Sequence, residues 1–138
     1  MELNTFIKTL AKHPALDRSA AALQTANARL HWKGMVGSAK SLLSLMVAQQ
    51  VPGTHLFILS DKEEAAYFLN DFEGLFPEDK RILFYPASYR VPYQQEQTDN
   101  SNVVARAEVL EKLSDKQNTW IVTYPEALFE KIPTKKNL

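Results

Sequence analysis

Residues 34–41 read GMVGSAKS, which differs at one fixed position from the phosphate-binding P-loop pattern G-x-x-x-x-G-K-[ST]. In a working P-loop, backbone N–H groups at a helix N-terminus surround the phosphate oxygens. The lysine reaches the β- and γ-phosphates, and the Ser or Thr hydroxyl holds magnesium. The residues available for such contacts are Gly34, Gly37, Ser38, Lys40 and Ser41. The spacing therefore predicts a loop related to those that hold nucleotide phosphates.

Two features of the sequence argue against nucleotide hydrolysis. Ala39 stands where the pattern has a glycine, and its methyl group hinders close approach of the backbone to phosphate. A P-loop ATPase also needs an aspartate after a later strand to organise magnesium. The candidate, Asp61, is better explained as part of the first turn of a helix, where acids suit the helix dipole. We therefore interpret residues 34–41 as a vestigial phosphate loop without catalytic residues; a weak nucleotide site and a chance match are the alternatives.

A second candidate lies in YPASYRVPY, where Tyr89, Arg90 and Tyr93 combine aromatic rings with a cation. These residues follow a predicted strand, and α/β proteins place ligand sites at strand ends. Stacking on single-stranded bases, or contact with a protein partner, is one interpretation. Packing of the tyrosines on the domain is the interpretation that we favour. The three histidines lack metal-ligand spacing, so no metal site is expected.

The elements that would position these residues alternate along the chain. Strands are predicted in RLHWKG, THLFILS, RILFYP and TWIVTYP. Helices are predicted over residues 3–12, from an Asp17 N-cap onward, after the loop to Gln50, from a capping box at Ser60–Glu63 to Leu75, over 102–114, and in EALFEKI. This alternation indicates an α/β fold of three layers, with a mainly parallel sheet flanked by helices. We expect a helical segment at 1–24, an α/β domain at 25–133 and a tail at 134–138.

Composition limits the classes of protein. The chain has 138 residues, no cysteine, and 16 basic against 16 acidic side chains. Residues 1–60 carry six Lys/Arg against two Asp/Glu, whereas residues 61–100 carry four against nine. This is not the strongly basic composition of a free-standing nucleic-acid binder. Without a long apolar run or a secretory signal, a cytoplasmic protein with no membrane partner is expected.

The order of these features resembles the N-terminal region of bacterial transcription-repair coupling factor (Mfd). The degenerate loop is followed by FYPASYRVPYQQEQTDNSNVVARAEVLEKL, similar to that family's FP-x-x-E-x-LPY-x-x-x-SP…R-x-x-x-L-x-x-L pattern. WIVTYPEALFEKIP is similar to its V-x-T-x-x-AL-x-x-x-P strand and turn. The resemblance covers about residues 25–133. Tyr89 replaces a frequent Glu, the Ser-Pro pair is absent, and no DNA-clamping hairpin is expected before the helix near Val103.

The resemblance implies a specific role. The family's N-terminal module is similar to the excision-repair helicase UvrB but has lost nucleotide hydrolysis, and it serves in docking and regulation. The chain would then be an incomplete module similar to UvrB domain 1a, not itself an enzyme and without a cofactor. ATP and magnesium would act at a downstream DNA translocase motor in the same polypeptide. UvrA would bind mainly through the adjacent subdomain, and RNA polymerase and DNA through the parent protein. The alternative from another class is a small P-loop enzyme, an ATPase or phosphotransferase; an unrelated interaction domain is a third.

Overall fold

The chain divides into two compact units, Met1–Gly53 and Thr54–Leu138, here called the N-terminal unit and the C-terminal unit. The structure, a computed structural model, describes residues 3–88 and 100–132. Within those residues no helix is both long and apolar enough to cross a membrane. The domain division predicted at residue 24 stays a prediction.

The described part of the N-terminal unit, residues 3–53, contains three helices, α1 (Leu3–Leu10), α2 (Pro14–Leu23) and α3 (Ala39–Gln50). Helices α2 and α3 meet through buried apolar side chains, because each helix carries such residues on one face. The buried set is Leu16, Ala20, Met46 and Val47, and Ile7, Leu10, Trp32, Leu42, Leu43 and Val51 pack against it. The N-terminal unit is therefore a small helical cluster with its own core.

Helix α2 begins at Pro14, and the predicted N-cap at Asp17 is wrong. His13 is the N-cap, and its Nδ1 accepts a hydrogen bond from the Ala15 N–H at 3.2 Å. Pro14 takes the first helical position, where its fixed φ fits and its missing N–H costs nothing. Asp17 lies within the first turn instead. Pro14 therefore starts α2.

The predicted strand in RLHWKG is also wrong, since residues 29–34 form no strand. A strand needs a neighbour to pair its backbone groups, and the described part of the N-terminal unit contains none. Trp32 packs against the helical core instead, and its Nε1–H donates to Ser19 Oγ at 3.2 Å. The vestigial loop is thus not preceded by a strand.

The C-terminal unit is an α/β structure. Its elements are β1 (His55–Ile58), α4 (Lys62–Leu75), β2 (Ile82–Phe84), α5 (Asn100–Ser114), β3 (Trp120–Thr123) and α6 (Pro125–Phe129). The three strands form a parallel sheet in the order β1-β3-β2. The predicted α/β class with a parallel sheet is confirmed at this level, and the three predicted strands of this unit are present.

The core of the C-terminal unit is built on the central strand β3. All four residues of β3 are buried, as expected for a strand covered on both faces. Below it, Phe72 is fully buried and contacts the rings of Phe57 and Phe68, with centroid distances of 5.1 and 4.5 Å. The ring of Trp120 lies 6.5 Å from that of Phe72. Helix α4 is thereby fixed to the sheet by aromatic side chains.

The N-terminus of α4 is capped one residue later than predicted. Asp61 is the N-cap, and its Oδ1 accepts from the Glu64 N–H at 2.8 Å. Glu64 Oε2 accepts from the Ser60 N–H at 3.2 Å, so the return bond goes to the residue before the N-cap, and the predicted box of Ser60 and Glu63 is wrong. Asp61 lies at the N-terminus of α4, as interpreted, but as its N-cap and not within its first turn.

Candidate functional site

The vestigial phosphate loop has its two glycines in the left-handed region. The φ angles of Gly34 and Gly37 are +77° and +56°, where a side chain would be strained. Ala39 is the first residue of α3 and has helical geometry, so its methyl group causes no backbone strain. The glycines thus lie where the loop turns, and the departure from the P-loop pattern lies inside the helix.

The hydroxyl that would hold magnesium is turned into the helix. Ser41 is 2% exposed, and its Oγ donates to the Ser38 carbonyl oxygen at 3.1 Å. Lys40 is exposed in the first turn of α3, and Ser38 makes no side-chain cap bond to the helix. The loop therefore exposes Lys40 at the N-terminus of α3, whereas Ser41 is buried away from solvent.

The second candidate site, Tyr89, Arg90 and Tyr93, lies outside the described residues. The segments on either side of residues 89–99 are described, and they meet in a buried polar network that the sequence analysis did not identify. We call it the Arg106 network, and its members are Tyr85, Pro86, Ala87, Ser88, Asn102, Arg106, Thr123, Tyr124, Ala127 and Glu130.

Arg106 is the centre of this network. It lies on α5, is 7% exposed, and its Nη1 donates to the carbonyl oxygens of Pro86 and Ala127 at 2.8 and 3.0 Å. Its guanidinium also lies 4.2 Å from the ring centroid of Tyr85, a cation–π contact. One side chain thus joins α5, the segment after β2, and α6.

Glu130 supplies the negative charge. Its Oε2 lies 3.6 Å from Arg106 Nη1 and accepts from the Ser88 N–H at 2.8 Å. The Ser88 hydroxyl donates to the other carboxylate oxygen. A buried charge is tolerated when it is paired and hydrogen-bonded in this way. Glu130 therefore holds the chain immediately after β2 against the C-terminus of α6.

Three further hydrogen bonds fix the same region. The Tyr124 hydroxyl accepts from the Ala87 N–H at 2.9 Å, and Asn102 Nδ2 donates to the Ala87 carbonyl oxygen at 2.9 Å. The Thr123 hydroxyl donates to the Tyr85 carbonyl oxygen at 2.8 Å. Carboxyl ends of parallel strands are where α/β proteins place ligand sites. At the carboxyl ends of β2 and β3, the protein's own polar side chains occupy this edge of the sheet.

Tyr85 is the exception in the network. Its hydroxyl is buried and has no hydrogen-bond partner among the residues that the structure describes, whereas the Tyr124 hydroxyl has one. Burial raises the pKa of both phenols above the usual value of 10.0, because the phenolate form is desolvated. For Tyr85, Arg106 acts in the opposite direction by favouring the phenolate.

The two tyrosines give a matched prediction. Tyr85→Phe removes an unpaired hydroxyl, so we expect the free energy of unfolding to stay the same or rise by up to about 1 kcal/mol at neutral pH. Tyr124→Phe leaves the Ala87 N–H without its acceptor, so we expect a loss of about 1 kcal/mol. Urea denaturation followed by circular dichroism measures both. An equal loss in the two variants would show that the Tyr85 hydroxyl has a partner.

The raised pKa values also set a pH dependence. A phenol whose pKa is raised in the folded state contributes stability that is fully present below about pH 10, and this stability is lost as pH rises through the raised pKa. We therefore expect the wild-type protein to lose stability above about pH 10, and Tyr85→Phe to lose less over the same range.

Arg106 could have been found from the sequence. It lies three residues before Val109 and four before Leu110, on the core-facing side of α5, where a cation is unusual. Its partners could not, because the Pro86 and Ala127 carbonyls that it binds lie 20 and 21 residues away along the chain.

The described residues include no group of three or more His, Cys, Asp or Glu side chains that could hold a metal ion. Comparisons with protein-family models, curated proteins and solved structures returned no match to this chain.

Proposed function

We propose that the chain is a non-hydrolysing scaffold of the UvrB-like kind, with a P-loop NTPase- or helicase-like ancestry, and forms the N-terminal part of a transcription-repair coupling factor. In this role it helps to couple removal of stalled RNA polymerase to nucleotide excision repair in the cytoplasm. It contributes to recruitment of UvrA and to restraint of the motor. ATP and magnesium act at a separate motor of the same polypeptide. The parent protein, through its other parts, contacts DNA and RNA polymerase.

The Arg106 network is the observation that carries this proposal. Three of the segments that carry the resemblance, besides the degenerate loop, are FYPAS, RAEVLEKL and TYPEALFEK. Through the contacts of Arg106, Glu130 and Ser88, these three segments meet in one buried network. Motif residues that converge on a structural contact support a shared fold, since each segment needs the other two to satisfy its polar groups.

The vestigial loop supports the non-hydrolysing part of the proposal. A P-loop hydroxyl must face the magnesium ion, whereas the Ser41 hydroxyl is buried and donates to Ser38. Lys40 remains exposed, which is compatible with a loop that has kept its cation and lost the metal-binding group. The alternative function, a small P-loop enzyme, requires the lysine and the magnesium-binding hydroxyl to act on the same nucleotide.

Strand-specific repair of ultraviolet lesions tests the proposal in the organism that carries the gene. Deleting residues 25–133 from the native gene is expected to slow repair of the transcribed strand to the rate of the non-transcribed strand. Lys40→Ala is expected to leave both rates unchanged, because the proposed scaffold does not use the lysine for catalysis. Immunoblotting for the protein controls for degradation of each variant.

Two outcomes would contradict the scaffold. Preferential repair of the transcribed strand could persist after the deletion, or Lys40→Ala could abolish it. Titration of the purified chain with ATP and magnesium separates the alternative enzyme directly. Tight binding would raise the melting temperature, since a ligand bound only by the folded state adds RT ln(1 + [L]/Kd). We expect no shift at millimolar ATP.

A further inference from the structure

Charge is divided unevenly between the two units. The N-terminal unit carries six Lys/Arg against two Asp/Glu, and no acidic residue occurs from residue 18 to residue 60. The C-terminal unit carries ten against fourteen. A chain with no net charge therefore contains one unit of strongly positive balance. Such a local excess of cations attracts anionic partners even when the whole protein is neutral.

Part of this excess lies on one exposed stretch, residues 29–33, which we call the basic segment. Trp32 anchors the segment, because it packs on the helical core and donates to Ser19. Arg29, His31 and Lys33 are all exposed. The anchor holds the segment on the surface of the N-terminal unit, and three of its five side chains are basic residues open to solvent.

These basic side chains are not paired with other described residues. Among the residues that the structure describes, Arg29, His31 and Lys33 take part in no ion pair and no side-chain hydrogen bond. This contrasts with the C-terminal unit, where Arg81 and Arg106 pair with Asp79 and Glu130. An exposed arginine without a carboxylate partner keeps its full set of donors for an external anion.

We propose that the basic segment binds the phosphodiester backbone of nucleic acid without sequence preference. Nucleic acid fits because its charges repeat at every nucleotide, so neighbouring cations bind it without a shaped pocket. The guanidinium of Arg29 matches the phosphate group bidentately, and Lys33 acts as a point charge. The proposal is independent of the scaffold function, since it requires only the N-terminal unit's surface.

The expected affinity is weak and dependent on salt. Two phosphate contacts give a slope of log K against log salt of about −2 for duplex DNA. Raising the salt from about 50 to about 200 mM should then weaken binding roughly tenfold. Fluorescence anisotropy of a labelled duplex and a labelled single strand, titrated with the whole chain, measures both quantities.

A double variant and a matched control test the assignment. Arg29→Gln/Lys33→Gln is expected to weaken binding about tenfold at the lower salt and to bring the slope close to zero. Lys62→Gln/Lys131→Gln removes the same charge from exposed positions of the C-terminal unit, and it should change the affinity less than about twofold. Circular dichroism checks that each variant is folded.

Three results would overturn the proposal. The wild-type chain could fail to bind either nucleic acid at low salt, or the two double variants could weaken binding equally. Polyglutamate could also displace the chain as well as unlabelled DNA at equal charge concentration, which would identify an acidic polypeptide as the preferred partner. Loss of binding in the basic-segment variant alone supports the proposal whatever the repair experiment gives.

Discussion

Replacing Arg106 with methionine is expected to lower the free energy of unfolding of the C-terminal unit by about 3 to 5 kcal/mol. Methionine keeps most of the volume but leaves the Glu130 carboxylate without its cation. It also leaves the carbonyl oxygens of Pro86 and Ala127 without their donor. Removing one partner of a buried pair costs more than the pair is worth, because the remaining charge stays buried and uncompensated. Urea denaturation measures the change.

Two further variants distinguish loss of the Arg106–Glu130 ion pair from loss of side-chain packing. Arg106→Lys keeps the charge and loses the guanidinium geometry, so an intermediate loss is expected. In Arg106→Met/Glu130→Gln the uncompensated carboxylate is absent, so the loss should be smaller than the sum of the two single losses by about 1 kcal/mol or more. Strict additivity would show that Arg106 and Glu130 do not interact. Arg18→Met, at an exposed position of α2, is the matched control and should change stability by less than about 0.5 kcal/mol.

Replacing Phe72 with alanine is expected to lower the free energy of unfolding by about 3 to 5 kcal/mol, because it removes a ring from the aromatic core. Phe72 is fully buried and contacts Phe57, Phe68 and Trp120 through its ring. The substitution loses the transfer free energy of the ring and leaves a cavity that the surrounding rings fill only in part. The same urea titration detects the change as a lower transition midpoint.

Tyr67→Ala on the same helix is the control for this substitution. The Tyr67 side chain is 67% exposed, so its truncation removes little buried area, and a change within about 0.5 kcal/mol is expected. Equal losses for Phe72→Ala and Tyr67→Ala would mean that α4 is stabilised by its own helix propensity and not by the sheet beneath it.

The two substitutions differ in what they are expected to change. Phe72 stabilises the contact of α4 with the sheet, whereas Arg106 joins α5 to the chain after β2 and to α6.

The sequence by itself determined most of the local structure. Apolar runs between turn signals predicted the three strands of the C-terminal unit, and α4 and α5 were predicted close to their observed bounds. GMVGSAKS was predicted as a loop before a helix, and its two glycines have positive φ, which glycine adopts without strain. These features are local, since periodicity, capping and glycine conformation depend on residues a few positions apart.

Tertiary structure decided the rest. RLHWKG has the alternating pattern of a strand, but a strand forms only where another strand pairs with it. Trp32 of this stretch packs against the helical core instead. Nothing near Arg106 in the chain shows that it binds Pro86, Ala127 and Glu130, since these partners lie about 20 to 24 residues away on both sides. Long-range contacts of this kind follow from the packing of whole elements, which no local pattern encodes. The sequence therefore determined where the elements lie, and only the fold decided which side chains they bring together.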